Sequence, residues 1–316
     1  MRRTYRYATL DVFTETPFGG NPLAVFPDAR GLATAQMQAL AAEFNYSETT
    51  FVLPPAAPDH TAQVRIFTPR WELPFAGHPN VGTAVCLARL GAVHGRQVAG
   101  DTLLFEEGAG LVAVAVERAA GEAVGATLTA PAPLSIGGEV PVETVAAALS
   151  LPAEAILTRR HPPVFASVGL PFLMIELADR AALERAKANV AAIAEATERY
   201  GAGAARLSLH LYTRRGADTG SEGSVDLRAR MFSPLGGVPE DPATGSANAA
   251  LTGFLAALAP EPDLDYSVRI AQGVEMGRPS RLLGRARKRG GTVERVEIGG
   301  RCVPMMAGEV TLEAAG

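Results

Sequence analysis

Cysteine is scarce: there are two in 316 residues, Cys86 and Cys302, and they form no CxxC pair. No disulfide framework and no thiolate zinc site is signalled. Histidine is nearly as rare, at five residues. His60, His94, His161 and His210 keep no metal-ligand spacing and no H-E-x-x-H occurs, so no metal is expected. An excess of positive charge is missing too. The net charge is −4 and the pI is near 5.8, which removes the basic field that nucleic acid or an anionic membrane surface would want. No segment approaches the roughly 18 uncharged apolar residues of a membrane span. The basic opening MRRTYRYATLDVF runs into a strand-like alternation with Asp11 inside it, not into an apolar run with a small-residue cleavage site. No signal peptide is read there, and a cytoplasmic location is the expectation.

The chain does have apolar content. At 47% it supports a sizeable core, and the length suggests two domains or lobes. Residues 5–13 and 22–26 read as strands around a PFGGNP turn. Residues 33–45 read as a helix with Met37, Leu40, Ala41 and Phe44 on one face. Strands are expected at 48–54, 62–69, 102–106, 110–117 and 124–129, then at 206–213, 224–232, 266–272, 292–298 and 302–312. PVETVAAALS reads as a short helix, and 179–197 as one amphipathic surface helix. Residues 216–224 read as a polar loop. The basic stretch 281–291, RLLGRARKRGG, reads as a solvated hairpin turn in an acidic protein.

Two short segments recur. RIFTP at 65–69 returns as RMFSP at 230–234, and HPNVGTA at 78–84 returns as DPATGSA at 241–247. The same order at nearly the same separation indicates an internal duplication, with His78 and Asp241 at matching positions. The helices that follow, near 80–90 and 243–258, are apolar almost all round, which marks them as buried. Each lobe is therefore expected to wrap strands around one central helix. The proposed division is 1–122 and 123–316, with the C-terminal strands free to return to the first lobe. A buried helix start presents unpaired N–H groups and a partial positive charge. Small residues there, Gly82, Thr83, Gly245 and Ser246, would let a ligand reach the backbone. Two such ends would make a site for a carboxylate-bearing molecule in the cleft between the lobes.

The segments DVFTETPFGGNPLAVF, NYSETTFV, RIFTPRWELPFAGHPNVGTA, ASVGLPFLMI and GVPEDPATGSANAAL resemble the signature segments of the phenazine-biosynthesis PhzF-like family, in that family's order, from about residue 8 to 258. The resemblance implies an α+β diaminopimelate-epimerase-like fold, with two pseudo-symmetric lobes, each a β-barrel-like sheet around a central helix. It implies cofactor-free isomerisation of a dihydro-hydroxyanthranilate or a related small carboxylate, by moving a proton along a conjugated carbon frame. It also implies a homodimer. Residue by residue, it points to Glu48 of S-E-T as the proton-shuttling acid/base. His78 of G-H-P and Asp241 of E-D-P match polar residues that hold the substrate and assist. Gly77, Gly245 and Ser246 match residues that bind it.

Asn21 in GGNP either reaches the ligand or shapes the turn, and Glu72 in WELPF reads as structural. Cys86, inside an apolar helix, reads as core. Two other readings stay open. One is an amino-acid epimerase or racemase on the same fold, whose paired thiols, one per lobe, have no counterpart at His78 and Asp241. The other is a non-catalytic relative that binds a small molecule.

Overall fold

The computed structural model describes residues 2–98, 100–201, 207–214 and 226–313, so the polar stretch 216–224 lies outside the described residues. The chain divides into two compact units, 1–131 with 299–316, and 132–298. The boundary expected after residue 122 falls inside a strand of the first unit.

The first unit runs β1 (Arg2–Val12), β2 (Asn21–Phe26), α1 (Thr34–Phe44), β3 (Glu48–Leu53), β4 (Ala62–Phe67), β5 (Glu72–Leu73) and α2 (Gly77–Leu90). A two-stranded ribbon follows, β6 (Ala92–Val93) and β7 (Arg96–Gln97), and then β8 (Thr102–Glu107), β9 (Gly110–Ala119) and β10 (Glu122–Thr129). Two of the pairings are parallel, β2 with β3 and β4 with β8. The pairs β1–β2, β3–β4, β8–β9 and β9–β10 are antiparallel. α1 lies outside this sheet and buries Met37, Leu40 and Ala41 in a cluster with Phe26, Phe51 and Phe67. The Phe26 and Phe51 rings stack there at 4.9 Å.

The second unit runs β11 (Ser135–Glu139), α3 (Val142–Leu149), β12 (Val164–Ser167), β13 (Pro171–Glu176), α4 (Arg180–Arg185), α5 (Val190–Tyr200) and β14 (Leu209–Arg214). It continues with β15 (Leu227–Ser233), β16 (Val238–Asp241), α6 (Gly245–Leu258), β17 (Leu264–Gln272), β18 (Ser280–Arg289) and β19 (Thr292–Glu313). Its pairings repeat the rhythm of the first unit. β13–β14 and β15–β17 are parallel, and β12–β13, β14–β15 and β17–β18 are antiparallel. The duplication read from two short motifs therefore extends to strand direction. The latter half of β19 belongs to the first unit. There it pairs with β1 from Arg2↔Glu313 to Val12↔Cys302 and also with β10, which closes an eight-stranded barrel around α2. This is the α+β fold of the diaminopimelate-epimerase type.

Three expectations change. The helix expected over 179–197 is two helices. Asp179 caps α4 through Ala182 N, and Asn189 caps α5 through Ala192 N. Asn favours a helix start over a helix interior, and a guanidinium N–H of Arg230 takes the carbonyls of Leu183 and Ala186 that end α4. The basic stretch 281–291 is mostly strand β18, with only Gly290 and Gly291 at positive φ in the turn. Its alternation is hidden because Lys288 faces inward, where its ammonium donates to the carbonyls of Ala257 and Ala259 at the end of α6. The two strands expected from 292 to 312 are one strand of 22 residues. The intervening Gly299 is a point of close approach, since a Cβ there would sit 2.8 Å from the Ala126 carbonyl oxygen.

Both central helices are buried over their first twelve residues, Gly77–Ala88 and Gly245–Ala256. No described helix is long and apolar enough to cross a membrane.

Candidate active site

In the first unit, Asn21 opens β2 and Glu48 opens β3. The strands are parallel, with Leu23 opposite Glu48, so both residues lie at the same edge of the sheet. Inside that edge α2 begins at Gly77 and carries His78 in its first turn. Nδ1 of His78 lies 3.3 Å from Oε2 of Glu48 and 3.3 Å from Nδ2 of Asn21. His78 and Asn21 are buried, and the Glu48 side chain is 14% exposed. Burial pushes the His78 imidazole down to about 3, against a hydrogen bond to the Pro22 backbone that acts the other way. The ring is therefore neutral at physiological pH, so its 3.3 Å approach to Glu48 is not an ion pair. A neutral imidazole uses Nδ1 either to donate to Glu48 or to accept from Asn21, so its tautomer and the protonation of Glu48 are linked.

In the second unit, Asp241 ends β16, and α6 begins at Gly245 with Ser246 next. Thr244 Oγ1 donates to Asp241 Oδ2 at 2.6 Å. Neither central helix has a side-chain cap: Ala76 has no group to offer, and the Thr244 hydroxyl is turned to Asp241. The starts at Gly77 and Gly245 thus keep backbone donors that no N-cap side chain occupies.

The structure corrects the residue matching. His78 is the second residue of α2, and Ser246 is the second residue of α6. Asp241 sits on the strand before its helix, so it is not the counterpart of His78. Gly82 and Thr83 are not at a helix start either. They lie one turn in, where a Cβ on Gly82 would meet Leu23 at 2.5 Å and Val12 at 2.7 Å, and where Thr83 shares a hydroxyl hydrogen bond of 2.9 Å with Thr50. They serve packing of α2 against the barrel wall.

A bidentate clamp sets the true alignment. In the first unit Arg65 Nε and Nη2 donate to the two Glu72 oxygens at 2.7 Å each. In the second, Arg230 Nε and Nη2 donate to the two Glu240 oxygens at 2.8 and 2.9 Å. Each guanidinium also lies over the phenylalanine two residues on, at 5.2 Å from the Phe67 ring and 4.8 Å from the Phe232 ring. The N-cap follows four residues after each glutamate, at Ala76 and Thr244. The second copy has three more residues inside the clamp, in the segment after Pro234 where the chain makes the 3-10 turn Pro234–Gly236. The short motif HP/DP pulled the sequence alignment off this register. The arginines of RIFTP and RMFSP and the glutamates of WEL and PED carried the signal that would have fixed it.

Glu72 is thus held by Arg65, which agrees with its structural reading. Cys86 and Cys302 are buried, and burial pushes both thiols up to about 12. Both lie in the first unit. Among the described residues, no group of three or more His, Cys, Asp and Glu side chains is placed to hold a metal ion.

The family model described as phenazine biosynthesis-like protein matches residues 10–308. An uncharacterized isomerase of Mesorhizobium japonicum is 39% identical over 98% of this chain and 99% of its own length. The trans-2,3-dihydro-3-hydroxyanthranilate isomerase of Pseudomonas aeruginosa is 37% identical over 98% of this chain and 100% of its own. The crystal structure of a PhzF-family phenazine biosynthesis protein from Bacillus anthracis shares the fold, with a TM-score of 0.84 at 23% identity, covering 98% and 99% of the two chains. A near end-to-end match in sequence, joined to a barrel that encloses a helix with His78 against Glu48, makes this chain a member of the phenazine-biosynthesis-like PhzF family and an isomerase.

Proposed function

We propose that this isomerase acts without a cofactor on a small, unsaturated, carboxylate-bearing molecule and that Glu48 carries the proton. The Glu48 carboxylate takes a proton from a saturated ring carbon. The electron pair of that C–H bond becomes a new C=C bond as the neighbouring double bond shifts. Protonated Glu48 then returns the proton to the carbon at the far end of the shifted system, and the enzyme is restored. His78 suits both halves of this cycle. Its Nδ1–H supports the carboxylate, and in the other tautomer its Nδ1 lone pair accepts from the protonated acid. The open helix starts, at Gly77 in the first unit and at Gly245 and Ser246 in the second, each favour an anionic group of a substrate. Asp241 orients the substrate.

The observation that carries this reading is the 3.3 Å contact between Glu48 Oε2 and a buried, neutral His78. The Pseudomonas relative supports the substrate class, because the compound in its name is a partly unsaturated ring with a carboxylate. A single positioned acid/base supplies about 10²–10⁴-fold of rate, and orientation and preorganised electrostatics supply the rest. The epimerase reading with paired thiols has no support in the site. Both cysteines sit in one unit and are held as neutral thiols.

The test is Glu48→Gln assayed on trans-2,3-dihydro-3-hydroxyanthranilate in deuterated water. The parent enzyme places deuterium on a product carbon. The variant binds the compound but turns it over at least about 10²-fold more slowly, with no deuterium gained. Normal turnover by Glu48→Gln removes the assignment.

A further inference from the structure

We infer that Thr244, Gln272, Asn248 and His210 form one directional hydrogen-bond chain that positions Asp241, and that Gln272 is its hub. The inference rests on the reading of Asp241 as a substrate-orienting residue.

The chain can be followed donor by donor. Thr244 Oγ1–H donates to Asp241 Oδ2 at 2.6 Å. Gln272 Nε2 donates to that same Thr244 hydroxyl at 3.0 Å and to the Asp241 backbone carbonyl at 2.8 Å. Gln272 Oε1 accepts from Thr244 N at 3.2 Å and from Asn248 Nδ2 at 2.6 Å. Asn248 Nδ2 also donates to the Thr244 carbonyl at 2.9 Å. Its oxygen Oδ1 lies 3.1 Å from His210 Nε2.

All five side chains are buried, with Gln272, Asn248 and His210 at 0% exposure. Burial removes water as an alternative partner, so each donor must be matched by an acceptor. That condition fixes every proton. Both Asn248 amide protons are spent on the Thr244 carbonyl and on Gln272, so its oxygen must accept. His210 must then carry its proton on Nε2. Burial also lowers the His210 pKa to about 4, which keeps the ring neutral. With Gln272 Oε1 taking two donors, its amide can only face Asp241 and Thr244. The Thr244 hydroxyl, receiving from Gln272, can only give to the Asp241 carboxylate.

The first unit shows what this chain adds. Asn80 stands in α2 where Asn248 stands in α6, and its Nδ2 donates to the Ala76 carbonyl at 3.0 Å in the same way. The N-cap there is alanine, so nothing continues to a carboxylate on the strand before the helix; the Asn80 amide turns instead to Glu107 at the end of β8. The threonine and the glutamine extend the order to Asp241.

The experiment labels the aspartate side-chain carboxyls with carbon-13 and follows the Asp241 signal, assigned by its loss in Asp241→Asn, in the substrate-free protein. Thr244→Val, Gln272→Leu and His210→Leu are each expected to move that signal, and Thr244→Ser, which keeps the hydroxyl, to leave it near the parent position. Gln272→Glu serves where Gln272→Leu does not fold, since it keeps the shape and the acceptor but replaces the donating amide. With trans-2,3-dihydro-3-hydroxyanthranilate as the probe, Thr244→Val and the Gln272 variant lose about 10- to 100-fold in kcat/KM, as expected for a misaimed orienting group, and Thr244→Ser recovers most of it. An Asp241 signal unmoved by folded Gln272 and His210 variants overturns the inference. Parent-like turnover by Asp241→Asn, or none by the parent, overturns the functional reading of Asp241 instead, and the carboxyl signal still decides whether the chain reaches it.

Discussion

Arg230 holds Glu240 through two parallel hydrogen bonds of 2.8 and 2.9 Å, one residue before Asp241. Its Nη1 meanwhile donates to the carbonyls of Leu183 and Ala186. One guanidinium therefore ends α4 and fixes the strand that carries Asp241. The two side chains are 9% and 19% exposed, against 23% and 38% for the matching pair Arg65 and Glu72. Removing one partner of a buried pair strands the other charge, whereas an exposed pair is replaced by water. Arg230→Ala is expected to cost about 3 kcal/mol in denaturant unfolding. Arg65→Ala is expected to cost under about 1 kcal/mol. Equal losses would show that burial does not distinguish the two clamps.

His78 and His210 make the protein acid-sensitive. Their folded values, about 3 and about 4, lie below the unfolded value near 6.5. Below pH 6.5 the unfolded chain binds protons that the folded chain refuses, so stability falls as the pH falls. The loss at pH 5 is roughly 2 kcal/mol for each histidine. Urea midpoints measured from pH 7 to 5 check this, and His210→Gln should remove about half of the slope.

Glu107 acts on the alkaline side. It ends β8, and burial pushes its carboxyl up to about 8 against a weaker opposing hydrogen bond from the Asn80 amide. Here the folded value exceeds the unfolded one, so the folded chain keeps a proton that the unfolded chain has lost. Its contribution to stability therefore falls from about pH 4.5 up to pH 8 and then levels off. Glu107→Gln mimics the neutral acid. The variant should be more stable than the parent at pH 8, by on the order of 4 kcal/mol, of which about 2 kcal/mol develops between pH 6.5 and 8, and should lose that slope. A parent whose stability is flat from pH 6.5 to 8.5 contradicts a neutral Glu107.

The thiols are spectators. Both are pushed up to about 12 and buried, so the nucleophilic thiolate is absent at neutral pH. The double variant Cys86→Ala, Cys302→Ala should keep turnover within a few-fold of the parent, and alkylating reagents should label the native protein slowly. A loss of several orders of magnitude in a folded double variant would restore the epimerase reading.

Gly82 tests the corrected register. A side chain there collides with Leu23 and Val12, inside the barrel wall. Gly82→Ala is expected to cost about 1–3 kcal/mol through overpacking and to leave ligand affinity in the surviving folded protein unchanged. A selective loss of affinity at parent stability would return Gly82 to the site.

The sequence by itself determined the elements whose pattern is local. α1 was legible because Met37, Leu40 and Ala41 fall on one face, and both central helices because they are apolar all round. The duplication was legible from RIFTP and RMFSP, and the family segments pointed to Glu48 and His78, which the structure brings within 3.3 Å of each other. Tertiary structure decided what depends on partners distant in the chain. The split between α4 and α5 needed Arg230, and the strand character of 281–289 needed the carbonyls at the end of α6 to draw Lys288 inward. That His78 is neutral followed only from its burial in the fold, since solvent exclusion there outweighs the hydrogen bond to the Pro22 backbone and neither can be read from its neighbours in sequence. The counterpart of His78 proved to be Ser246 and not Asp241, because hydrogen-bonded clamps fix the helix start in space while a two-residue motif fixes nothing. Gln272, more than 20 residues beyond α6's start, reaches Asp241 only because β17 runs alongside that helix.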